Sequence, residues 1–214
     1  MWKKIKKVLY IVILLNIIFI FWGKFFNPPI TLTQLGGMIE YRKLDRDYIS
    51  YDEMGSEIKK AVIASEDQKF FVHNGFDIDA IQKAYEKNEK GKKLRGGSTI
   101  SQQTAKNIFL WQGRSYLRKG LEAIYTFIIE IVWGKDVILE RYLNSIEMGQ
   151  GVFGIESASQ YYFKKSSKKL TKSEAAWIAA VLPNPQKYDP KNPSPYLQRR
   201  HNWIMRQMNN VTLK

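Results

Sequence analysis

An uncharged apolar run near the N-terminus constrains the fold of this chain more than any other sequence feature. Residues 8–22 contain one polar side chain, Asn16, and the apolar stretch continues past Lys24 to Phe26. A helix over residues 8–26 would be about 28 Å long at about 1.5 Å per residue, which is close to the hydrocarbon thickness of a bilayer. The sequence therefore predicts one transmembrane helix in residues 1–27, followed by a separate folded domain.

The residues that flank the apolar run predict its orientation. Four lysines precede it within the first seven residues, which favours a cytoplasmic N-terminus and places the rest of the chain outside the cytoplasm. A cleaved signal peptide is the alternative, but residues 25–29 lack a small-x-small cleavage site. Pro28 and Pro29 are predicted to end the helix and begin a linker over residues 28–44. A short strand or two is expected within residues 30–49, and the folded domain is predicted over residues 45–214.

Charge and cysteine usage narrow the classes of function. The net charge is +14, of which the first 24 residues supply five charges, so the remainder of the chain carries +9. A basic domain held at a membrane indicates anionic lipid or a phosphate-bearing substrate. Nucleic acid fits the same charge, but no recognition motif accompanies it, so no nucleic-acid partner is expected. The absence of cysteine excludes disulfides and a thiolate nucleophile, and two histidines leave little room for a zinc site.

Capping signatures and apolar periodicity predict a mainly α domain. Ser50 with Glu53, Thr99 with Gln102 and Thr171 with Glu174 have capping-box spacing, and each is expected to open a helix. A long helix is predicted to end at Trp133, with a buried stripe made of Leu117, Leu121, Ile124, Ile128 and Ile131. The segment 175–182 is apolar all round and should be the central buried helix. Further helices are predicted over residues 78–89, 135–144, 155–163 and 196–210.

Glu66 and Asp67 end the first helix of the domain, immediately before Phe70 and Phe71. A carboxylate beside aromatic surface is partly desolvated, which suits it to general-base chemistry. Taken alone, the pair could equally be ordinary solvated acids at a helix end.

Two further segments carry polar or charged side chains at helical spacing. Gln102 and Lys106 are four residues apart, so they share one helix face, and Gln103 is adjacent. This polar face is either exposed to solvent or a surface that binds a sugar and a phosphate. Arg114, Arg118 and Glu122 are also spaced by four, with Lys119 beside them. They form either an exposed ladder of salt bridges or a diphosphate clamp in which Glu122 orients the cations.

The order and spacing of these segments resemble the five motifs of the family 51 peptidoglycan glycosyltransferases, over about residues 45 to 210. The likeness is to the monofunctional members, which have one anchor and one transferase domain. The matching residues are Glu66-Asp67-x-x-Phe70-x-x-His73-x-Gly75-x-Asp77, Gly97 to Asn107, Arg118-Lys119-x-x-Glu122, Lys135 to Asn144 with Gly149 and Gly154, and Leu170 to Pro185.

The resemblance implies a lysozyme-like fold of two helical lobes with a cleft between them, and an activity. Members polymerise lipid II into β-1,4-linked glycan with inversion, release undecaprenyl diphosphate and are inhibited by moenomycin, which mimics the donor. By this resemblance Glu66 is the general base and Glu122 the second, positional acid. The substrate-binding residues that it implies are Asp67, Ser98, Gln102, Gln103, Lys106, Asn107, Arg114, Arg118 and Lys119.

The resemblance also implies where the protein acts and with what. Asp67 is expected either to hold the site together or to help bind Mg²⁺ or Mn²⁺ at the diphosphate, and no covalent cofactor is expected. The expected partners are lipid II, the growing glycan chain, membrane lipid and cell-wall synthesis or division proteins, at the bacterial inner membrane. A lysozyme-like lytic enzyme is the alternative; it would use one glutamate as a general acid and would not need the cations.

Overall fold

The computed structural model describes residues 2–89, 97–113 and 115–213. Within these ranges the chain forms ten α-helices, three short 3₁₀ helices and one small sheet, so the mainly α prediction is confirmed. The helices are α1 (Trp2–Phe25), α2 (Leu32–Tyr41), α3 (Ser56–Glu66), α4 (Ile78–Glu89), α5 (Ile100–Phe109), α6 (Tyr116–Val132), α7 (Lys135–Ser145), α8 (Ile155–Phe163), α9 (Lys172–Val181) and α10 (Pro195–Gln207).

The sheet has three very short strands in the order β1 (Asp45–Arg46), β3 (Val152–Phe153) and β2 (Glu147–Gly149). β1 is parallel to β3 with Asp45 opposite Val152, and β2 is antiparallel to β3. Gly151 turns the β2–β3 hairpin at a φ of +67°, a backbone conformation that glycine adopts without steric cost. The sheet joins the start of the folded domain to the segment between α7 and α8.

The core lies between two groups of helices. α3 packs on α9 and α10, whereas α5 packs on α6 and α7. The small side chains of α9 let its neighbours approach closely, and Ala175, Ile178, Ala179 and Val181 are fully buried. The prediction that this helix is central is therefore confirmed.

Helix α1 is the one helix in the described part of the chain that is long and apolar enough to cross a membrane. Its C-terminal end is docked on the folded domain. The indole N–H of Trp133 donates to the carbonyl of Ile20 at 2.8 Å, and the buried guanidinium of Arg141 donates to the carbonyls of Gly23 and Lys24 at 2.9 and 3.1 Å. The bonds from Arg141 satisfy carbonyls in the last turn of the helix, which have no partner within it. The anchor is thereby fixed to α7 and to the end of α6.

The structure corrects the prediction for residues 30–49. One strand, β1, lies there, but half of the segment is helix α2, which falls within the stretch predicted as a linker. Thr31 and Gln34 form a reciprocal capping box that starts this helix. The Thr-x-x-Gln signature was present in the sequence, and the following pair of glycines obscured it. Gly37 allows the helix to approach the ring of Phe153, since an added Cβ would lie 2.7 Å from that ring.

Two other predictions need correction. The Ser50–Glu53 capping box opens only the 3₁₀ turn Tyr51–Glu53, and α3 begins at Ser56 because Met54 is extended. The buried stripe predicted for α6 is wrong, since Leu117, Ile124 and Ile131 are 71%, 56% and 69% exposed. The face of α6 that turns inward carries Arg118, Glu122, Thr126 and Ile129. Apolar periodicity located a stripe correctly but assigned it to the protein core.

Candidate active site

Glu66 is held at the end of α3 by three polar side chains. Its Oε1 accepts from the hydroxyl of Ser65 at 2.8 Å and from Nη2 of Arg200 at 3.0 Å. Its Oε2 accepts from Nε2 of Gln103 at 3.1 Å. Glu66 and Gln103 were both predicted as site residues, and the structure brings them together. Arg200 was not predicted, because nothing in the local sequence links it to a carboxylate 134 residues earlier.

Gln103 is oriented by a buried tyrosine from α7. The hydroxyl of Tyr142 donates to Oε1 of Gln103 at 3.1 Å, which leaves the amide N–H₂ group facing Glu66. Burial is the largest of the causes that raise the pKa of Tyr142 well above its ordinary value, so the phenol stays protonated and can donate at neutral pH. Tyr142 is therefore a second site residue that the sequence prediction missed.

Asp67 joins the end of α3 to the start of α5. Its Oδ2 accepts from the backbone N–H of Ile100 at 3.0 Å, and its carboxylate contacts Nε2 of His73 at 2.9 Å. Nδ1 of His73 accepts from the backbone N–H of Gly75 at 3.1 Å, which assigns the ring proton to Nε2. Of the two roles expected for Asp67, these contacts match the one that holds the site together.

Helix α5 is capped by the box that the sequence predicted. Thr99 accepts from the backbone N–H of Gln102, and Oε1 of Gln102 accepts from the backbone N–H of Thr99 at 3.0 Å. Gln102 is buried, so its amide oxygen helps to fix the start of α5. Gln103 and Lys106, one turn apart, both line the cleft described below.

A compact charged cluster forms on α6 around the buried carboxylate of Glu122. Nη1 of Arg118 donates to Glu122 at 2.7 Å, Lys119 pairs with the same carboxylate, and Nζ of Lys119 lies 3.5 Å from Oγ of Ser98. Arg118 and Glu122 are only 8% and 3% exposed, which excludes the exposed ladder of salt bridges. Arg114, the remaining cation predicted for this cluster, lies outside the described residues.

Lys106 extends the cationic region from α6 to α5. Burial is the largest cause that lowers the pKa of its ammonium group; Glu122 opposes this shift, and Arg118 and Lys119 add to it. Lys106 belongs to α5, which packs on α6, so its ammonium group lies within the field of the α6 charges. A partly desolvated ammonium beside two further cations is suited to bind an anion strongly.

A cleft of 500 Å³ begins at Gln103, Lys106 and Asn107 and runs beneath α2. Asn107 accepts from Nε2 of Gln112 at 3.4 Å, and Gln112 also contacts Thr33 of α2 at 2.5 Å. Helix α2, unforeseen in the sequence, therefore supplies one wall. The other lining residues are Gly36, Gly37, Glu40, Tyr41, Tyr142, Ile146, Glu147, Leu182, Pro183, Pro185 and Gln186.

The chain is similar to known proteins over most of its length. A family model described as Transglycosylase matches residues 33–209. A protein named biosynthetic peptidoglycan transglycosylase from Caulobacter vibrioides is 51% identical over 177 residues, which cover 83% of this chain and 77% of that protein. Proteins of the same name from Shewanella oneidensis and Aeromonas hydrophila are 54% and 44% identical; those matches cover 77% and 94% of this chain, and 72% and 88% of the relatives.

Proposed function

The chain belongs to the transglycosylase family, and from that membership we propose that it is the enzyme that polymerises lipid II into glycan strands. The relatives are named biosynthetic peptidoglycan transglycosylases, so the reaction class is glycosyl transfer in peptidoglycan synthesis. The proposed substrates are lipid II and a growing chain on undecaprenyl diphosphate. The proposed products are a β-1,4-linked glycan of inverted configuration and free undecaprenyl diphosphate.

Glu66 is the proposed general base. Its carboxylate takes the proton from the 4-hydroxyl of the acceptor sugar, the freed oxygen forms a bond to C1 of the donor, and the C1–oxygen bond to the diphosphate breaks. The bonding electrons leave with the diphosphate, so the reaction needs one base and a group of cations rather than a second proton donor. The observation that carries this proposal is that α5 connects the base to the cations, since its Gln103 hydrogen-bonds Glu66 and its Lys106 lies one turn further along.

The charged residues at the cleft have proposed roles in holding the donor. Lys106 and the α6 cluster of Arg118 and Lys119 neutralise the developing charge on the diphosphate, and Arg114 is proposed to join them. Glu122 orients Arg118 and Lys119, which its two short ion pairs support. Ser98 and Asn107 are proposed to hydrogen-bond the donor, whereas the capping bond of Gln102 supports an indirect role in fixing α5.

A divalent cation at the diphosphate stays a prediction. The described ranges contain no group of three or more histidine or acidic side chains that could hold a metal ion. Asp67, the residue considered for this role, already binds Ile100 and His73. The side chains described here therefore do not fit a metal held by the protein itself, and no step above uses one.

The membrane helix and the exposed side of α6 support a site at the lipid surface. The four lysines before the apolar run support the proposal that the folded domain lies outside the cytoplasm, at the inner membrane that carries lipid II. The outward face of α6 carries Leu117, Ile124, Phe127 and Ile131. Since α1 is docked against the end of this helix, we propose that this face contacts lipid beside the anchor. Cell-wall synthesis or division proteins remain proposed partners.

The lytic alternative explains fewer of these observations. A hydrolase acting on neutral glycan has no diphosphate to hold, yet Lys106, Arg118 and Lys119 converge beside the cleft. A lytic enzyme also needs its glutamate protonated as a general acid. In this structure both carboxylate oxygens of Glu66 instead accept hydrogen bonds, from Ser65, Arg200 and Gln103.

Replacement of Glu66 with Gln tests the proposal directly. In the full-length protein in detergent, with labelled lipid II resolved on gels, Glu66→Gln should lower polymerisation by about 100-fold or more while the fold is kept. Moenomycin should abolish the wild-type product. Glu86→Gln, at an exposed position on α4, is the matched control and should polymerise as wild type. Substantial turnover by Glu66→Gln would remove Glu66 from the base role, and digestion of finished glycan by the wild type would favour the lytic reading.

A further inference from the structure

A guanidinium from the last helix of the chain reaches the proposed base. Nη2 of Arg200, on α10, donates to Oε1 of Glu66 at 3.0 Å and to the hydroxyl of Ser65 at 2.7 Å. Ser65 in turn bonds the same Oε1 at 2.8 Å and contacts the carbonyl of Ala179, on α9, at 3.2 Å. Glu66, at the end of α3, is thus connected to both helices that pack against α3.

The two oxygens of the Glu66 carboxylate are used unequally. Oε1 accepts from Ser65 and from Arg200, which occupies both of its lone pairs. Oε2 accepts only from Gln103 among the described residues, which leaves it one lone pair. We propose that Arg200, together with Ser65, is a positioning residue that fixes the carboxylate so that Oε2 receives the acceptor's proton. This inference rests on the proposed role of Glu66 as the general base.

The contacts of Arg200 match a positioning role better than a purely stabilising one. Its Nε is buried and has no hydrogen-bond partner in the described part of the chain. A guanidinium placed for stability alone normally pairs that N–H as well, because a buried unpaired donor costs free energy. The side chain instead directs Nη2 at Ser65 and Glu66.

The inference predicts that changes at Arg200 act on turnover rather than on substrate binding. For Arg200→Ala, kcat for lipid II polymerisation should fall by about 10- to 100-fold, because a misplaced base loses its alignment with the reacting oxygen. KM should change less than about threefold, since the hydrogen bonds of Arg200 go to Ser65 and Glu66 and not to the cations proposed to hold the donor. Arg200→Lys should recover part of the loss, and guanidinium chloride at millimolar concentration should raise the rate of Arg200→Ala alone.

The neighbouring arginine provides the matched control. Arg199 lies on the same helix turn and is exposed, so Arg199→Ala should keep the wild-type kcat and show no response to guanidinium. Thermal unfolding of every variant in detergent identifies those that fold. If Arg200→Ala does not fold, Arg200→Gln, whose side chain keeps an N–H donor, replaces it in the kinetic comparison. The rescue experiment with guanidinium chloride is then omitted.

The outcomes separate this inference from the proposed function. A wild-type kcat for Arg200→Ala, or a loss seen only in KM, overturns the positioning role while an inactive Glu66→Gln leaves the base assignment intact. A loss of kcat that neither lysine nor guanidinium repairs assigns Arg200 a structural role and also overturns the inference. If Glu66→Gln itself remains active, the proposed function fails, and the inference fails with it.

Discussion

Replacing Glu122 with Ala should destabilise the protein strongly, because it leaves a buried cation without its partner. Glu122 accepts from Nη1 of Arg118 at 2.7 Å and also pairs with Lys119. Breaking a buried ion pair from one side costs about 3–5 kcal/mol. Arg118 keeps its bond from Nε to the carbonyl of Gly113 at 2.8 Å, and the half-exposed Lys119 can turn to water, so we expect the lower end of that range.

The expected loss can be measured as a shift in the unfolding midpoint. A cost of about 3 kcal/mol corresponds to a Tm lowered by roughly 6–12 °C in a chain of this size. Glu122→Gln keeps the shape and one acceptor oxygen, and should cost about 1–2 kcal/mol. Thermal unfolding of the full-length variants in one detergent, followed by circular dichroism, gives both values.

A double-mutant cycle tests the reason for the effect. Arg118→Ala with Glu122→Ala removes both charges, so the double variant should be at least about 1.5 kcal/mol more stable than the sum of the two single losses predicts. Additive losses would show that Arg118 and Glu122 do not depend on each other. A Glu122→Ala protein as stable as wild type would refute the account of a buried, coupled pair.

The remaining predictions concern Lys106 and the docking of α1 on the folded domain. Burial lowers the pKa of Lys106, so its charge is lost at lower pH than for an ordinary lysine, and polymerisation should decline as pH rises through that lowered pKa. Lys106→Arg stays charged and should move this alkaline decline of kcat/KM to higher pH. An unmoved decline would exclude Lys106 as its source. The same depressed pKa means that the unfolded chain binds the extra proton, so the Lys106 contribution to stability should increase between the lowered pKa and the ordinary value of 10.5. Gly23→Ala should lower the Tm in detergent, because its Cβ would lie 2.8 Å from the ring of Trp133 and overpacking costs about 1–3 kcal/mol. Gly120→Ala, with nothing within 4 Å of the added atom, should instead raise the Tm through helix propensity. Equal shifts in the two variants would contradict tight docking of α1.

Sequence reasoning located the site residues that depend on local spacing. Arg118, Lys119 and Glu122 meet because residues three and four apart share a helix face, and the Thr99–Gln102 box caps α5 where its signature predicted. It did not locate Arg200 or Tyr142, because their partners are 134 and 39 residues away and are set by how helices pack. Only the tertiary structure brings such pairs together.

Taken alone, the sequence determined the apolar anchor, most helix positions and the motif residues that resemble a glycosyltransferase, since each depends on interactions within a few residues. The tertiary structure decided which helix faces are buried in the protein. The apolar stripe of α6 points away from the core, while the polar face with Arg118 and Glu122 is buried on the helix that packs against α5. Periodicity can identify a stripe, but whether protein or lipid covers it depends on where α1 and α5 pack, and that is a property of the whole fold.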